Sequence, residues 1–366
     1  MKAAPARLRP RIEWLLAFLP AAVALEWLAP EQHVAIFVAA CLTIVPLAAW
    51  LGRTTERLAE RTGAGIGGLL NATFGNAAEM IIALTALRRG LVGVVKASIT
   101  GAIIGNLLLV LGAALLAGGL RHPTQTFNAA AARSQATMLL LAAAALLAPA
   151  TYHRLAGGEA LAREGSLSVE VAVVLMISYG LGLVFSLRTH KQLFAGHPAE
   201  AAALEEDGQA SWSAARCLAV LAAVTVMIAW MSEILVGSVE PVAHAFGMSD
   251  VFVGVIVVAV IGNSAEQSTA ILMAVRNRMD LALSIAIGSS IQIALFVAPL
   301  LVLASYFVAA APMDLVFTPA EVLAVTFAAI IAGQICGDGE SNWLEGVQLL
   351  AVYVILGLLF YFLPAV

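Results

Sequence analysis

Along this 366-residue chain, long runs of mostly apolar residues follow one another with only short polar breaks between them. Covering the ~30 Å hydrocarbon core of a bilayer takes about 20 residues of helix, and runs of about 18 qualify as candidates. The pattern predicts helices over 12–29, 32–52, 64–87, 91–120, 128–150 and 167–188, then over 214–237, 250–275, 279–308, 319–336 and 346–363. None of these runs alternates as a barrel strand would. In lipid the backbone must satisfy its own hydrogen bonds, which a helix does. The expected fold class is an all-α integral membrane protein of about 11 transmembrane helices.

Composition narrows the function classes. Hydrophobic residues make up 61% of the chain and charged residues 11%, less than half the roughly 25% of a soluble domain. With a mean hydropathy of +0.96, a soluble enzyme, a nucleic-acid binder and a disordered chain are all excluded. A net charge of -4 calls for no polyionic partner. Cys41, Cys217 and Cys336 lie in or at the end of apolar stretches without metal-ligand spacing, so neither a disulfide framework nor a thiolate site is expected.

Assigning alternate loops to opposite faces puts Lys2, Arg7, Arg9, Arg11, Arg53, Arg57, Arg61, Arg121, Arg133, Arg188, Lys191, Arg216, Arg276 and Arg278 on one side. The other side holds Arg88, Arg89, Arg154 and Arg163, with Lys96 inside a helix near that end. Basic residues are retained in the cytoplasm, so the N-terminus is expected to be cytoplasmic. The basic start and Ala22-Val23-Ala24 also resemble a cleavable signal peptide. Pro20 and the interfacial pair Glu26-Trp27 favour an uncleaved helix.

Shifting the chain by 187 residues lays Gly75-Asn76-Ala77-Ala78-Glu79 on Gly262-Asn263-Ser264-Ala265-Glu266. The register continues without gaps through Ala83 and Ala270, Arg89 and Arg276, Gly101 and Gly288, Leu108 and Leu295, and Val110 and Val297. Residues 1–30 then form a first helix, 31–190 and 213–366 two repeats of five spans each, and 191–212 an acidic cytoplasmic linker. An odd number of spans inverts the second copy, an architecture of secondary transporters with a midplane site between the copies.

Glu79 and Glu266 fall mid-helix, where an ionisable group costs at least ~2.5–3.5 kcal/mol. Two hydrogen-bonded structural carboxyls are the plain alternative. Recurrence of the pair, each three residues after an Asn on the same helical face, points instead to a shared site. Gly75 and Gly262 let the helix unwind or permit close approach of a neighbour, either of which can free carbonyls to face a cation. Two carboxylates, the amides of Asn76 and Asn263, and freed carbonyls make an all-oxygen set. Calcium suits it best, ahead of sodium, potassium and manganese. Two carboxylates buried together without a cation hold protons, because desolvation and mutual repulsion both penalise their charge. A divalent cation displaces those protons, and a site that cannot close while charged and empty exchanges one for the other.

At these residues the chain resembles the cation/proton exchangers of the CAX group, within the calcium/cation antiporter superfamily. The resemblance runs over nearly the whole chain. It includes Val95-Lys96-Ala97-Ser98 leading to Gly105-Asn106-Leu107-Leu108-Leu109-Val110-Leu111-Gly112, then Ser232-Glu233-Ile234-Leu235-Val236-Gly237, Gly288-Ser289-Ser290-Ile291-Gln292-Ile293-Ala294, and Asp338-Gly339-Glu340-Ser341-Asn342-Trp343-Leu344-Glu345-Gly346. It implies that Glu79 and Glu266 bind the cation and carry the exchanged protons. Asn76, Asn263, Ser98, Asn106, Ser289 and Gln292 would form the supporting shell. Two positions depart from the pattern. Gln267 stands where many relatives have His, which bears on selectivity and pH dependence, and Ala102 stands where a Ser is common, opposite Ser289.

Weaker signals read as follows. Glu200, Glu205, Glu206 and Asp207 form an acidic loop between the repeats, a solvated linker or, by the resemblance, a calcium-attracting segment. Asp338, Glu340 and Asn342 imitate an EF-hand start, but Trp343 and Leu349 occupy the positions that need Gly and Glu. These acids are expected to favour the N-terminus of the last helix or to line a vestibule. Gly63, Gly65 and Gly68 satisfy a dinucleotide fingerprint without a preceding strand, so helix packing explains them. Glu233 lies inside its span, where a place on a proton path and an interhelical hydrogen bond fit it equally.

The expected function is a calcium/proton antiporter working by alternating access, with sodium/calcium or other cation/proton exchange as the nearest alternative and a channel behind it. No HExxH, ExxH or Ser/His pair at membrane depth supports an enzyme. Calcium and protons are expected as substrates in a lipid bilayer, with no cofactor and no nucleic acid. A bacterial plasma membrane fits the Ala-rich composition, with a vacuolar membrane as the alternative.

Overall fold

The structure is a computed structural model that describes residues 12–157, 162–194 and 212–363. Helices cover nearly all of them: α1 (Phe18–Leu28), α2 (His33–Phe74), α3 (Ala77–Arg88), α4 (Val92–Gly119), α5 (Ala129–Leu155) and α6 (Glu164–Thr189) in the first part. The second part holds α7 (Ala214–Phe246), α8 (Val253–Gly262), α9 (Ser264–Val275), α10 (Met279–Val308), α11 (Pro319–Ile335) and α12 (Trp343–Phe362). Among the described residues, seven helices are long and apolar enough to cross a membrane, and α8 with α9 makes an eighth, broken span. The shorter α1, the second half of α2 with α3, and the 17-residue α11 fill the remaining places. Pro20 sits in the first turn of α1, where its missing N–H costs nothing. The acidic loop at 200–207 and the basic residues before position 12 lie outside the described residues.

The structure alters one boundary. A loop was expected between 52 and 64, yet α2 is helical throughout. From Arg53 to Thr62 there is neither Gly nor Pro, and the Thr54 and Thr55 hydroxyls donate to the Trp50 and Leu51 carbonyls one turn back. The helix nevertheless folds back on itself. A Cβ added at Gly67 would overlap the carbonyl oxygen of Ala59, whereas a straight helix separates residues eight apart by about 12 Å. In the second repeat the same corner is a true break, because Gly247 ends α7 in the left-handed region at φ 63°. The equivalent position 60 is Glu60, which has no such freedom.

The two repeats share finer features. In α4 the hydrogen bonding loosens to a π-helix over Gly105–Val110, and in α10 over Ile293–Val297, the same place in each copy. Such bulges are frequent at functional sites. Helix α2 packs along α7, α4 against α12, and α5 against α11, so the halves interlock through a continuous apolar core. The loops on the face bearing Arg276 and Arg278 are clasped together. Strands β1 (Gln125–Thr126) and β2 (Glu340–Ser341) pair antiparallel, and the buried Gln125 amide donates to Ala274 O and Asn277 Oδ1. The N-terminus of the last helix is capped by Asn342 and Glu345, which form a capping box at the start of α12, and not by the expected acids Asp338 and Glu340. Asp338 instead accepts from the Glu340 amide across the turn at Gly339.

Candidate functional site

Both Gly-Asn pairs break their helices. Helix α2 ends at Phe74, Gly75 donates to Asn71 O, and Asn76 leaves helical geometry (φ -105°, ψ 32°) before α3 begins. Helix α8 ends at Gly262, Asn263 departs similarly (φ -88°, ψ 6°), and α9 sets off with the axis bent by 65°. Each break places a glutamate, Glu79 or Glu266, in the first turn of the following helix. Partial positive charge at a helix N-terminus favours a carboxylate there. No arginine, lysine or histidine forms an ion pair with either residue among the described residues.

An asparagine at the start of a helix ordinarily caps it with its own side chain; neither of these does. The Asn76 carbonyl instead accepts from Ser289 Oγ at 3.0 Å, and Ser289 in turn accepts from Asn106 Nδ2 at 3.0 Å. This chain crosses from the first repeat to the second and back. Asn263 has no such partner. Its amide donates to Ala259 O at 3.0 Å and its Oδ1 is left unpaired, because the position equivalent to Ser289 is Ala102. The departure at Ala102 thus makes the two halves of the site unequal.

Unpaired oxygens gather here. Glu79 Oε2, Glu266 Oε2, Asn106 Oδ1 and Asn263 Oδ1 are all buried without a hydrogen-bond partner. Buried acceptors in this state are expensive unless something else binds them. Among the described residues no group of three or more His, Cys, Asp and Glu side chains comes together. The donor set is therefore oxygen from two carboxylates and neutral amides, which fits a hard cation. The glycines make room for it. Glu79 lies against Gly262, where an added Cβ would be 3.3 Å from its Cγ, and Gln292 lies against Gly75, 3.2 Å from the equivalent point.

Glu79, Glu266, Gly75, Gly262, Ser289 and Gln292 line one cavity of about 980 Å³. It extends past Asn71 and Thr269 to Arg53 and Glu56 on α2 and to Ser186 and Leu187 near the end of α6, so it opens on the face of Arg188 and Arg276. On the opposite side of Glu79 a cleft of only about 20 Å³ is walled by Ile82, Ser98, Ala102, Val258 and Gly262. The cleft is the cavity's counterpart in the repeat. Shifted by 187, Glu79, Ile82, Ser98, Ala102, Val258 and Gly262 become Glu266, Thr269, Ile285, Ser289, Asn71 and Gly75, all of which line the cavity. One route stands open and its equivalent is shut.

Glu233 lies elsewhere. Its carboxylate meets Arg89 at 3.0 Å and Arg88 at 3.9 Å on the opposite face, where Gly237 lets the Arg89 guanidinium approach the backbone. Lys96 is held near that face by Asp314 at 2.6 Å and by the Val316 carbonyl. The sequence reading did not single out Asn71, Thr269 and Glu56 as site residues. Their signal was in the same self-comparison, which sets each against an apolar residue: Val258, Ile82 and Ala243.

Two inverted halves enclosing paired, uncompensated carboxylates with one access route open and its counterpart closed define a secondary transporter of ions. The sequence profile described as sodium/calcium exchanger protein matches residues 32–188 and 217–362, and the chain belongs to that family. It is 45% identical to the Ca(2+)/H(+) antiporter of Aphanothece halophytica, covering 96% of both chains. It is 44% identical to the Ca(2+)/H(+) antiporter ChaA of Bacillus subtilis, over 90% of this chain and 92% of that one. The solved structure of native YfkE superposes with a TM-score of 0.81 at 39% identity, covering 96% of this chain and all of the other.

Proposed function

We propose that this protein exchanges calcium for protons across a membrane by alternating access, with Glu79 and Glu266 as the cation ligands and the proton carriers. The observation that carries this reading is the pair of uncompensated carboxylates at two equivalent helix breaks, both lining the same open cavity. The names of full-length relatives favour calcium and protons over the sodium-coupled alternative.

Calcium accepts 6–8 oxygens in flexible geometry. The two carboxylates and Asn263 Oδ1 supply some of them, and water in the cavity completes the shell. Asn76, Asn106, Ser289 and Gln292 support the ligands, with Ser98 beside Glu79 and with Gly75 and Gly262 giving the close approach. A divalent cation neutralises the pair, and so do two protons. Bare, the pair is two like charges in a water-poor interior, the costliest of the three conditions. Closure is therefore favoured only when the site is loaded with metal or with protons, and passage of one drives return of the other. By mass action, acidifying the cavity side lowers calcium uptake there.

The asymmetry of basic residues supports a cytoplasmic open face, and the Ala-rich composition supports a bacterial plasma membrane; on that reading calcium is expelled as protons enter. Calcium flux in sealed proteoliposomes under an imposed pH gradient, with and without sodium, tests this for the wild type and Glu266→Gln. Flux that follows the proton gradient, ignores sodium and vanishes in the variant is expected. Full transport by Glu266→Gln, or flux without any counter-gradient, would overturn it.

A further inference from the structure

The two access routes are equivalent in position and opposite in chemistry. Where the open route has Asn71, the closed one has Val258, and where the open route has Thr269, the closed one has Ile82. Ser289 is set against Ala102 in the same way. At the mouth, Glu56 of the open route corresponds to the buried Ala243. Among these lining pairs only Ile285 against Ser98 runs the other way. The glutamates and the glycines beside them are the same in both, so the difference is confined to what surrounds them.

A calcium ion arrives with a shell of oxygens and gives them up only where others replace them. The open route offers amide and hydroxyl groups to hold that water or to take its place. Its counterpart, once opened, offers mostly hydrocarbon. We propose that calcium affinity is sided: high on the face that carries Arg53 and Arg188, low on the opposite face, and set by Asn71 and Thr269 against Val258 and Ile82. This rests on the antiport reading above. A ligand that binds one conformation better shifts the population toward it. Calcium thus favours the state open to the cavity, and is released readily once the other route opens. The gradients still fix the end point, because sidedness alters rates and not the overall equilibrium.

Right-side-out and everted membrane vesicles from cells producing the full chain present opposite faces to the medium. Initial rates of proton-coupled calcium uptake against calcium concentration give KM for each. The wild type is expected to show a lower KM at the cavity face. Asn71→Val with Thr269→Ile raises that KM roughly tenfold, the scale of one lost polar interaction, with little change at the other face. Val258→Asn with Ile82→Thr lowers KM at the opposite face only. Equal wild-type KM values, or equal changes on both faces in either variant, would overturn the inference and leave antiport standing. Absence of proton-coupled calcium flux in the wild type would remove the antiport reading and this inference with it.

Discussion

Gly101 lies so close to the Val255 carbonyl that a single added carbon would overlap it, while Gly288, the equivalent residue in the second repeat, has nothing within 4 Å of where its Cβ would stand. The same residue type is a sealed contact in one copy and a wall of the open cavity in the other. Nearby, Gly254 seats against Ala97, with an added Cβ only 2.7 Å from the Ala97 side chain. Together these contacts press α4 onto α8 and close the route on that side.

Substitution at the two glycines therefore separates packing from motion. Gly101→Ala meets backbone, which no rotamer change relieves, and overpacking of this kind costs about 1–3 kcal/mol. A lower melting temperature of the purified protein is expected, together with slower exchange. Gly288→Ala enters open space and leaves the melting temperature unchanged, yet it obstructs the equivalent contact in the opposite state, so exchange slows. Loss of stability in Gly288→Ala with normal flux would contradict this assignment.

The broken symmetry around the asparagines gives a paired prediction. Ser289→Ala leaves Asn76 Oδ1 and Asn106 Nδ2 without partners in a buried site, a change that costs about 1–3 kcal/mol. Ala102→Ser places a hydroxyl at the position equivalent to Ser289, where Asn263 Oδ1 is unpaired. It is expected to raise stability by about 0.5–1.5 kcal/mol. Thermal melts of both variants in one detergent check the opposite signs. A stabilised Ser289→Ala would show that the chain through Asn106, Ser289 and Asn76 is not a net support.

Much of this is legible in the sequence, for a physical reason. Lipid demands long apolar helices, so 279–308 reads from hydropathy alone and appears as Met279–Val308. The self-match around Glu79 and Glu266 likewise located the paired site, although the helices expected to run through 64–87 and 250–275 break at Asn76 and Asn263, which Gly-Asn allows without requiring. Hydropathy does not report where helical hydrogen bonding stops. The corner of α2 contains no residue that forbids a helix, and α7 runs on to Phe246 because the polar Ser238 and Glu240 remain compatible with a helix beyond the apolar run. The partner of Glu233 was hidden too, since it depends on α3 and α7 meeting in space.

Glu233 provides a control distant from the cavity. Its pairing with Arg89 is about 40% exposed on both sides, and exposed ion pairs contribute only about 0–1 kcal/mol. Glu233→Gln should therefore shift the melting temperature slightly, less at high salt than at low salt, because salt already screens the pair. Proton-coupled calcium flux is expected to persist in sealed vesicles. Abolished coupling with normal folding would instead place Glu233 on the proton path.

Gln125 tests whether the clasp on the cavity face holds the helix that carries Glu266. Its side-chain amide is buried, donates to Ala274 O at 2.8 Å and to Asn277 Oδ1 at 3.0 Å, and so pins the corner between α9 and α10. Asn277 sits there at a positive φ of 59°, a conformation that costs energy unless its surroundings impose it. Gln125→Ala removes both bonds and leaves the Ala274 carbonyl without that donor, with an expected loss of about 1–3 kcal/mol. Hydrogen exchange over residues 274–280 should quicken while that of α12 does not. Calcium exchange should weaken along with it, since Glu266 lies two turns up the same helix. Uniformly faster exchange along the whole chain would mean that Gln125 supports the fold at large and not this corner.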